Sequence, residues 1–361
     1  MTVVVVDRKC GEAVLRGAEI FAPGVLGTSK HVHNGSQVAI LCDISSQTKK
    51  GFRFEETIEQ LSNSHNDGFQ KFIYLGNGIL KMDRASIFNS GKGVALEVTH
   101  PIYDTCSLNE LSQNYYKEFF AQNICSMVVS HLLEAKKGEK ILDMCAAPGG
   151  KTTHIANLMQ NEGELVCCDR QKGKVESLTK LKEKLGYTVM RPTVMDGTRA
   201  TRLLESKTNE AKQVNKKRKK ESEAVHFDEE YFDRILVDAP CTGLGQRPSL
   251  SFKEFSLGAL RKTADYQRKL LSEAYKLLKP GGTLVYSTCT INPMENEENV
   301  QWFLDNHNKM EIVTPNLTAY ASSGLSSILK DLTIRSKVLR FDPMSTPQTI
   351  GFFAAKFIKR L

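Results

Sequence analysis

YFDRILVDAPCTGLG, Tyr231 to Gly245, is an apolar, β-branched run that ends in a turn of small residues carrying Cys241. TLVYSTCTINP, Thr283 to Pro293, repeats the pattern with Cys289. Such runs read as buried strands followed by turns. Around them, strand-like and helix-like segments alternate: KILDM, THIANLMQ, ELVCCD, KVESLTKLKEKLG, TVMRPTVMD, FDRILVDAP, ADYQRKLLSEAYKLLK and GGTLVYSTC. This alternation predicts an α/β, Rossmann-like fold with a parallel sheet covered on both faces, and ligands in such folds sit at the carboxyl ends of the strands. Both cysteines fall at that edge. TIGFFAAKFIKRL at the C-terminus reads as the closing strand, and SSGLSSILKDL before it as a surface loop.

The totals narrow the classes. A chain of 361 residues is long enough for two domains. At 40% hydrophobic and 25% charged it has globular composition. No apolar run is long enough to span a membrane, and MTVVVVDRKC is too short an apolar patch for a signal peptide, so an intracellular, cytoplasmic protein is expected, with no membrane partner and no obligate protein partner indicated. Nine cysteines without a CxxC pair, and without histidines at zinc-finger spacing, argue against a disulfide framework and a structural metal. The net charge of +8 is concentrated in Lys207 to Lys220, so any nucleic-acid surface must be local. That run lies in a charged segment, Glu205 to Tyr231, read as a loose insertion over 205–230, and its KKRKK (Lys216 to Lys220) is equally readable as a nuclear address, a phosphate contact or a solvated loop. His100 to Glu139 reads as an amphipathic helix using Phe119, Phe120, Ile124, Met127, Val128 and Leu132.

Within ILDMCAAPGGKTTHIA, a strand ends near Asp143, and Ala146, Ala147, Pro148, Gly149 and Gly150 form a small-residue turn into a helix. Such a turn lets a ligand approach the backbone. Gly150, Lys151 and Thr152 match the end of a phosphate-binding P-loop, but Cys145 stands where its first glycine belongs, which disfavours an NTPase. Asp169 ends the next strand at the distance expected of a carboxylate on ribose hydroxyls, and Asp196 ends the third, placed to accept from an adenine amino group. S-adenosylmethionine, with ribose and adenine but no phosphates, suits this set. Against it stands helix capping, the common role of a strand-end Asp. Cys10, Cys42, Cys167 and Cys168 read as inert small apolar residues, and Cys106 and Cys125 as structural.

From Met1 to Val98 the chain is a series of short β-like runs with glycine turns, a small barrel or sandwich. GAEIFAPGVLG (Gly17 to Gly27), GSQVAIL (Gly35 to Leu41) and GNGILKMDRASIFNSGKGVALEV (Gly76 to Val98) resemble a PUA domain, a small RNA-binding β-barrel. The resemblance implies RNA binding over 1–98, and Lys30, His31 and His33 are the loop residues that would meet phosphates. Met1 stands almost at the start of the PUA-like region, so a shorter N-terminal scaffold than the family's is expected.

CAAPGGKT (Cys145 to Thr152), DAPCTGLG (Asp238 to Gly245) and STCTINPMENEENV (Ser287 to Val300), in that order, resemble the Nop2/Sun family of RNA cytosine carbon-5 methyltransferases, over 99–361. The resemblance implies a class I methyltransferase sheet, S-adenosylmethionine as methyl donor and RNA, by the PUA-like region transfer RNA, as substrate. Cytosine carbon 5 is a poor nucleophile, and a thiolate adding to carbon 6 makes it electron-rich. Either cysteine satisfies that chemistry. By the resemblance Cys289 is the nucleophile and Cys241 assists release, while Cys145, Ala146, Ala147, Pro148, Gly149, Gly150, Lys151, Asp169, Lys174, Asp196 and Asp238 surround the cofactor. Asp238 would also steady the ring nitrogen during addition. A non-catalytic RNA-binding protein that keeps the fold is the alternative reading, disfavoured by the presence of both cysteines and Asp238.

Overall fold

The computed structural model describes residues 1–55, 58, 65–66, 69–103, 121–202, 225–251, 254–317, 320–345 and 348–361. Two compact units result: Met1–Tyr116 with Pro248–Glu254, and Lys117–Arg247 with Phe255–Leu361. The KKRKK run, Phe119, Phe120 and Cys106 lie outside the described residues.

The first unit contains β1 (Val3–Val6), α1 (Arg8–Val14), β2 (Ile20–Phe21), β3 (Val25–Ser29), β4 (Gln37–Asp43), β5 (Phe52–Phe54), the short pair β6 (His65–Asn66) and β7 (Phe69–Gln70), β8 (Phe72–Leu80), α2 (Arg84–Ser90) and β9 (Val94–Pro101). Its seven-stranded sheet runs β2-β9-β8-β4-β1-β3-β5. The N-terminal VVVV, read from sequence only as an apolar patch, is an inner strand, parallel to β4 and antiparallel to β3. All four valines are buried because successive side chains face opposite sides: Val4 and Val6 join one apolar cluster, Val3 and Val5 the other. Pro248–Glu254 belongs to this unit, where the Leu250 amide donates to Glu12 Oε1 at 2.7 Å.

The second unit contains α3 (Ile124–Leu132), β10 (Lys140–Asp143), α4 (Gly150–Leu158), β11 (Glu164–Asp169), α5 (Lys172–Leu185), β12 (Met190–Val194), β13 (Phe232–Asp238), α6 (Leu257–Leu277), β14 (Leu278–Thr288), α7 (Glu297–Asn306), β15 (Met310–Ile312), α8 (Leu332–Arg335), β16 (Val338–Phe341) and β17 (Phe352–Lys359). The sheet order is β12-β11-β10-β13-β14-β17-β15, with β16 also on β17. The first five strands are parallel, and β17 runs antiparallel between β14 and β15. Strand order reverses between β10 and β13, the switch point at which such sheets bind ligands. Residues alternate between two cores. Leu142, Ile235, Val237, Leu284 and Tyr286 face one, and Ile141, Leu236 and Val285 the other, so the strands read as nearly continuous apolar runs.

Several expectations shift. In α3 the buried face is Cys125, Val128, Val129 and Leu132, while Ile124 and Met127 are exposed. β12 stops at Val194, leaving Asp196 in the following turn. The end of the charged segment is not loose: Phe227 is buried and bridges to Thr201. The C-terminal strand is interior to the sheet, because β15 pairs on its far side. The loop before α8 is pinned by fully buried Leu329 and by the Leu325 amide donating to Glu297. Leu284 is 0% exposed at the centre of one core. Leu284→Ala is expected to cost about 2–5 kcal/mol in urea unfolding; a loss under about 1 kcal/mol would show that this layer is not the packed centre described here.

Candidate active site

β13 and β14 are neighbouring parallel strands with Asp238 opposite Ser287. Their chains therefore leave the sheet side by side, and three residues past Asp238 and two past Ser287 lie Cys241 and Cys289, with their Sγ atoms 3.2 Å apart. Both are free thiols. The two turns are tied together at other points as well. The Gly245 amide donates to the Cys289 carbonyl at 3.0 Å, and the Thr242 and Thr290 hydroxyls are 2.9 Å apart. A Cβ at Gly245 would run into the Gly351 carbonyl, so only glycine fits that crossing.

The two thiols are electrostatically distinct. The Cys241 S–H donating to Cys289 lowers the Cys289 thiol to about 7, against the opposing effect of burial, with a hydrogen bond from the Gln246 side chain and the Lys151 charge working the same way as Cys241. Cys241 is correspondingly raised, by that hydrogen bond first and by burial second. Of the two thiols, Cys289 is therefore the one that gives up its proton more readily, and Cys241 the one that keeps it. A thiolate is the nucleophilic form of cysteine.

Asp238 lies beside this pair. Its Oδ2 accepts from Lys151 Nζ at 2.7 Å and its Oδ1 from Ser287 Oγ at 2.7 Å. Lys151, assigned from sequence to the cofactor loop, thus reaches across the switch point to the end of β13. A P-loop lysine instead points at phosphates within its own loop, so this contact adds to Cys145 as an argument against an NTPase.

The loop from Cys145 to Gly150 connects β10 to α4. Gly149 has φ +111, and a Cβ there would approach Leu181 Cδ2 to 2.5 Å, so glycine lets α5 pack against the turn. Thr152 Oγ1 donates to Asp143 Oδ2 at 2.7 Å, and burial pushes Asp143 up to about 7. Asp169 Oδ1 accepts from the Gln171 amide, and its Oδ2 pairs with Lys174 at 3.4 Å. Asp196 Oδ1 caps the turn at Gly197–Arg199 through the Thr198 amide and hydroxyl. Asp196 therefore caps its turn, Asp169 ends β11 without capping α5, and both stand at the ligand edge of adjacent strands. Acceptors flanking a turn of small residues fit the hydroxyls and amino group of an adenosine.

Sequence reasoning missed several residues here. A cavity of about 310 Å³ opens beside Cys241, lined by Pro240, Cys241, Lys262, Thr263 and Tyr266, the last three on α6. The helix starts seven residues before the stretch read from sequence, and the signal was Ser256, whose hydroxyl caps Ala259. Gln246 gave no signal.

A parallel Rossmann-like sheet with an antiparallel strand inserted before its last one, and acidic and cysteine-bearing loops at its switch point, defines an α/β methyltransferase. Residues 130–358 match the family described as 16S rRNA methyltransferase RsmB/F. The chain belongs to this RsmB/F family, the Nop2/Sun methyltransferases. The mouse protein named tRNA (cytosine(72)-C(5))-methyltransferase NSUN6 is 37% identical over 99% of this chain and 74% of its own length. The Arabidopsis thaliana rRNA (cytosine-C(5))-methyltransferase NOP2C is 32% identical over 98% of this chain and 72% of its own. The crystal structure of NSun6 from Pyrococcus horikoshii with SFG superposes with a TM-score of 0.74 at 32% identity, over 99% of this chain and 77% of that one.

If Cys241 is the donor that lowers Cys289, alkylation of Cys289 by iodoacetamide, followed by peptide mass spectrometry, will show a midpoint near the value of about 7 given above and will shift to higher pH in Cys241→Ala. A midpoint unchanged by the substitution would remove Cys241 as the cause.

Proposed function

We propose that this chain is an S-adenosylmethionine-dependent RNA cytosine carbon-5 methyltransferase that acts on transfer RNA through a covalent cysteine adduct. The observation that carries the reading is the pair of thiols 3.2 Å apart beside Asp238. NSUN6 relatives named for tRNA cytosine methylation support the substrate class.

Bound S-adenosylmethionine supplies an electrophilic methyl group. Asp169 and Asp196 would accept from its adenosine hydroxyl and amino groups, and Cys145 to Gly150 would form the turn that receives it. The target cytosine must leave its stack to enter the cleft, which costs a few kcal/mol. The Cys289 thiolate adds to carbon 6 of that base, and Asp238, as the carboxylic acid, gives its proton to the ring nitrogen as negative charge develops there. After carbon 5 is methylated its proton passes to water, the electrons of that C–H bond restore the carbon 5–carbon 6 double bond, and Cys289 leaves as a thiolate that accepts from the Cys241 S–H. Cys241 assists this release.

The first unit, Met1–Tyr116 with Pro248–Glu254, serves as the PUA-like RNA-binding domain, and the second, Lys117–Arg247 with Phe255–Leu361, as the methyltransferase domain. Lys30, His31 and His33 lie exposed in the loop between β3 and β4, where they can meet phosphates. Free cysteines suit the reducing cytoplasm. Among the described residues no helix is long and apolar enough to cross a membrane.

Incubation with tRNA and S-adenosylmethionine, followed by denaturing electrophoresis, separates the two thiol roles. Cys289→Ala is expected to lose methylation and form no adduct, and Cys241→Ala to trap a denaturation-resistant protein–RNA adduct. Normal methylation by Cys289→Ala would refute the assignment. For the first unit, replacing Lys30, His31 and His33 together by alanine is expected to weaken tRNA binding and flatten its salt dependence; unchanged affinity would exclude this loop from the RNA surface. Substitution is the cleaner test than deletion, because Pro248–Glu254 packs within that unit.

A further inference from the structure

Glu295 is fully buried in the turn before α7 and meets four donors. Thr242 gives its amide to Oε2 at 3.1 Å and its hydroxyl to Oε1 at 2.6 Å, Gln267 Nε2 donates to Oε2 at 2.9 Å, and Asn292 Nδ2 donates to Oε1 at 3.0 Å. All four donors are neutral. Gln267, also fully buried, gives the same Nε2 to the Pro240 carbonyl at 2.9 Å. Pro240 and Thr242 are the two neighbours of Cys241, so this one network grips the backbone on both sides of that thiol. Thr242 is further joined to Thr290, the residue after Cys289. The carboxylate itself is braced from behind, where its backbone carbonyl accepts from the Tyr286 hydroxyl at 2.5 Å and from Asn299 Nδ2 at 3.3 Å.

The cost of burying a carboxylate is offset only if its acceptor sites are filled, and here both oxygens are. A glutamine of the same shape would turn an NH₂ group toward donors on one side or the other, because an amide offers one acceptor oxygen where a carboxylate offers two. The position thus demands an acceptor-only side chain. A packing role would not require one. We propose that Glu295, acting through Gln267 and Thr242, is a positioning residue that sets the Cys241 thiol for the release step. The proposal rests on the assignment of attack to Cys289 and release to Cys241, and it adds the device that holds the second thiol in register with the first.

The test uses the full chain with S-adenosylmethionine and a tRNA transcript, and compares Glu295→Gln, Thr242→Val, Thr242→Ser and Cys241→Ala on one denaturing gel, alongside first-turnover and steady-state methyl transfer. Thr242→Val keeps the shape and the amide and removes only the hydroxyl, so it reports even if Glu295→Gln fails to fold. Glu295→Gln and Thr242→Val are expected to lower steady-state turnover by roughly 10²-fold, the scale of an ångström-sized misplacement. The KM for S-adenosylmethionine stays unchanged, and adduct accumulates as in Cys241→Ala. Thr242→Ser restores wild-type behaviour. Slower turnover without adduct, in variants whose company includes an adduct-forming Cys241→Ala, would overturn the positioning role and leave the thiol assignment standing. Absence of adduct in Cys241→Ala itself would overturn the release role of Cys241 and this proposal with it.

Discussion

Two parallel strands that share a register deliver their carboxyl ends to the same place, and the site depends on that constraint. β13 and β14 pair with Asp238 opposite Ser287, and each strand is followed by a short turn that carries one cysteine. The 3.2 Å contact between the thiols follows from sheet geometry once those turns are fixed. Fixing them is the task of polar groups. Gly245 is bonded to Cys289, Thr242 to Thr290, and Glu295 to both turns. The apolar layers on each face hold the strands in register but do not orient the thiols.

Charge divides the labour within this edge. Lys151 arrives from the first turn of α4 and pairs with Asp238 at the end of β13, so the cofactor side and the thiol side of the switch point share one ion pair. The same cation helps the Cys289 thiolate, while Cys241 keeps the proton. Two chemically identical residues, equally suited on paper to attack, are made unequal by what surrounds them. Glu295 sits apart from this charge system and satisfies neutral donors only.

Much of this was legible in the sequence because strand periodicity and small-residue turns are local. KILD, ELVCCD and FDRILVD are strands over nearly the residues expected, and Cys145, Asp169 and Cys241 stand at or just past their ends. Three kinds of feature were not legible. VVVV at the N-terminus is too short to declare itself a strand until β4 and β3 flank it. The inward face of α3 uses Cys125 and Val129 where periodicity favoured Ile124 and Met127, because the choice of face depends on what the helix packs against. Glu295 stands beside a helix start and Gln267 on a charged helix, and only the meeting of α6 with the two cysteine turns buries them. Contacts of 28 and 53 residues' separation leave no mark on either neighbourhood.

The central claim is that one thiol makes carbon 5 of an RNA cytosine nucleophilic and the other helps to restore the base. The most direct measurement uses tRNA carrying tritium at carbon 5 of cytosine together with S-adenosylmethionine carrying a labelled methyl group, and counts both labels over time. The account predicts one tritium released to water for each methyl group incorporated, with 5-methylcytidine as the product. Methyl incorporation without matching tritium release would place the chemistry at another atom and contradict it.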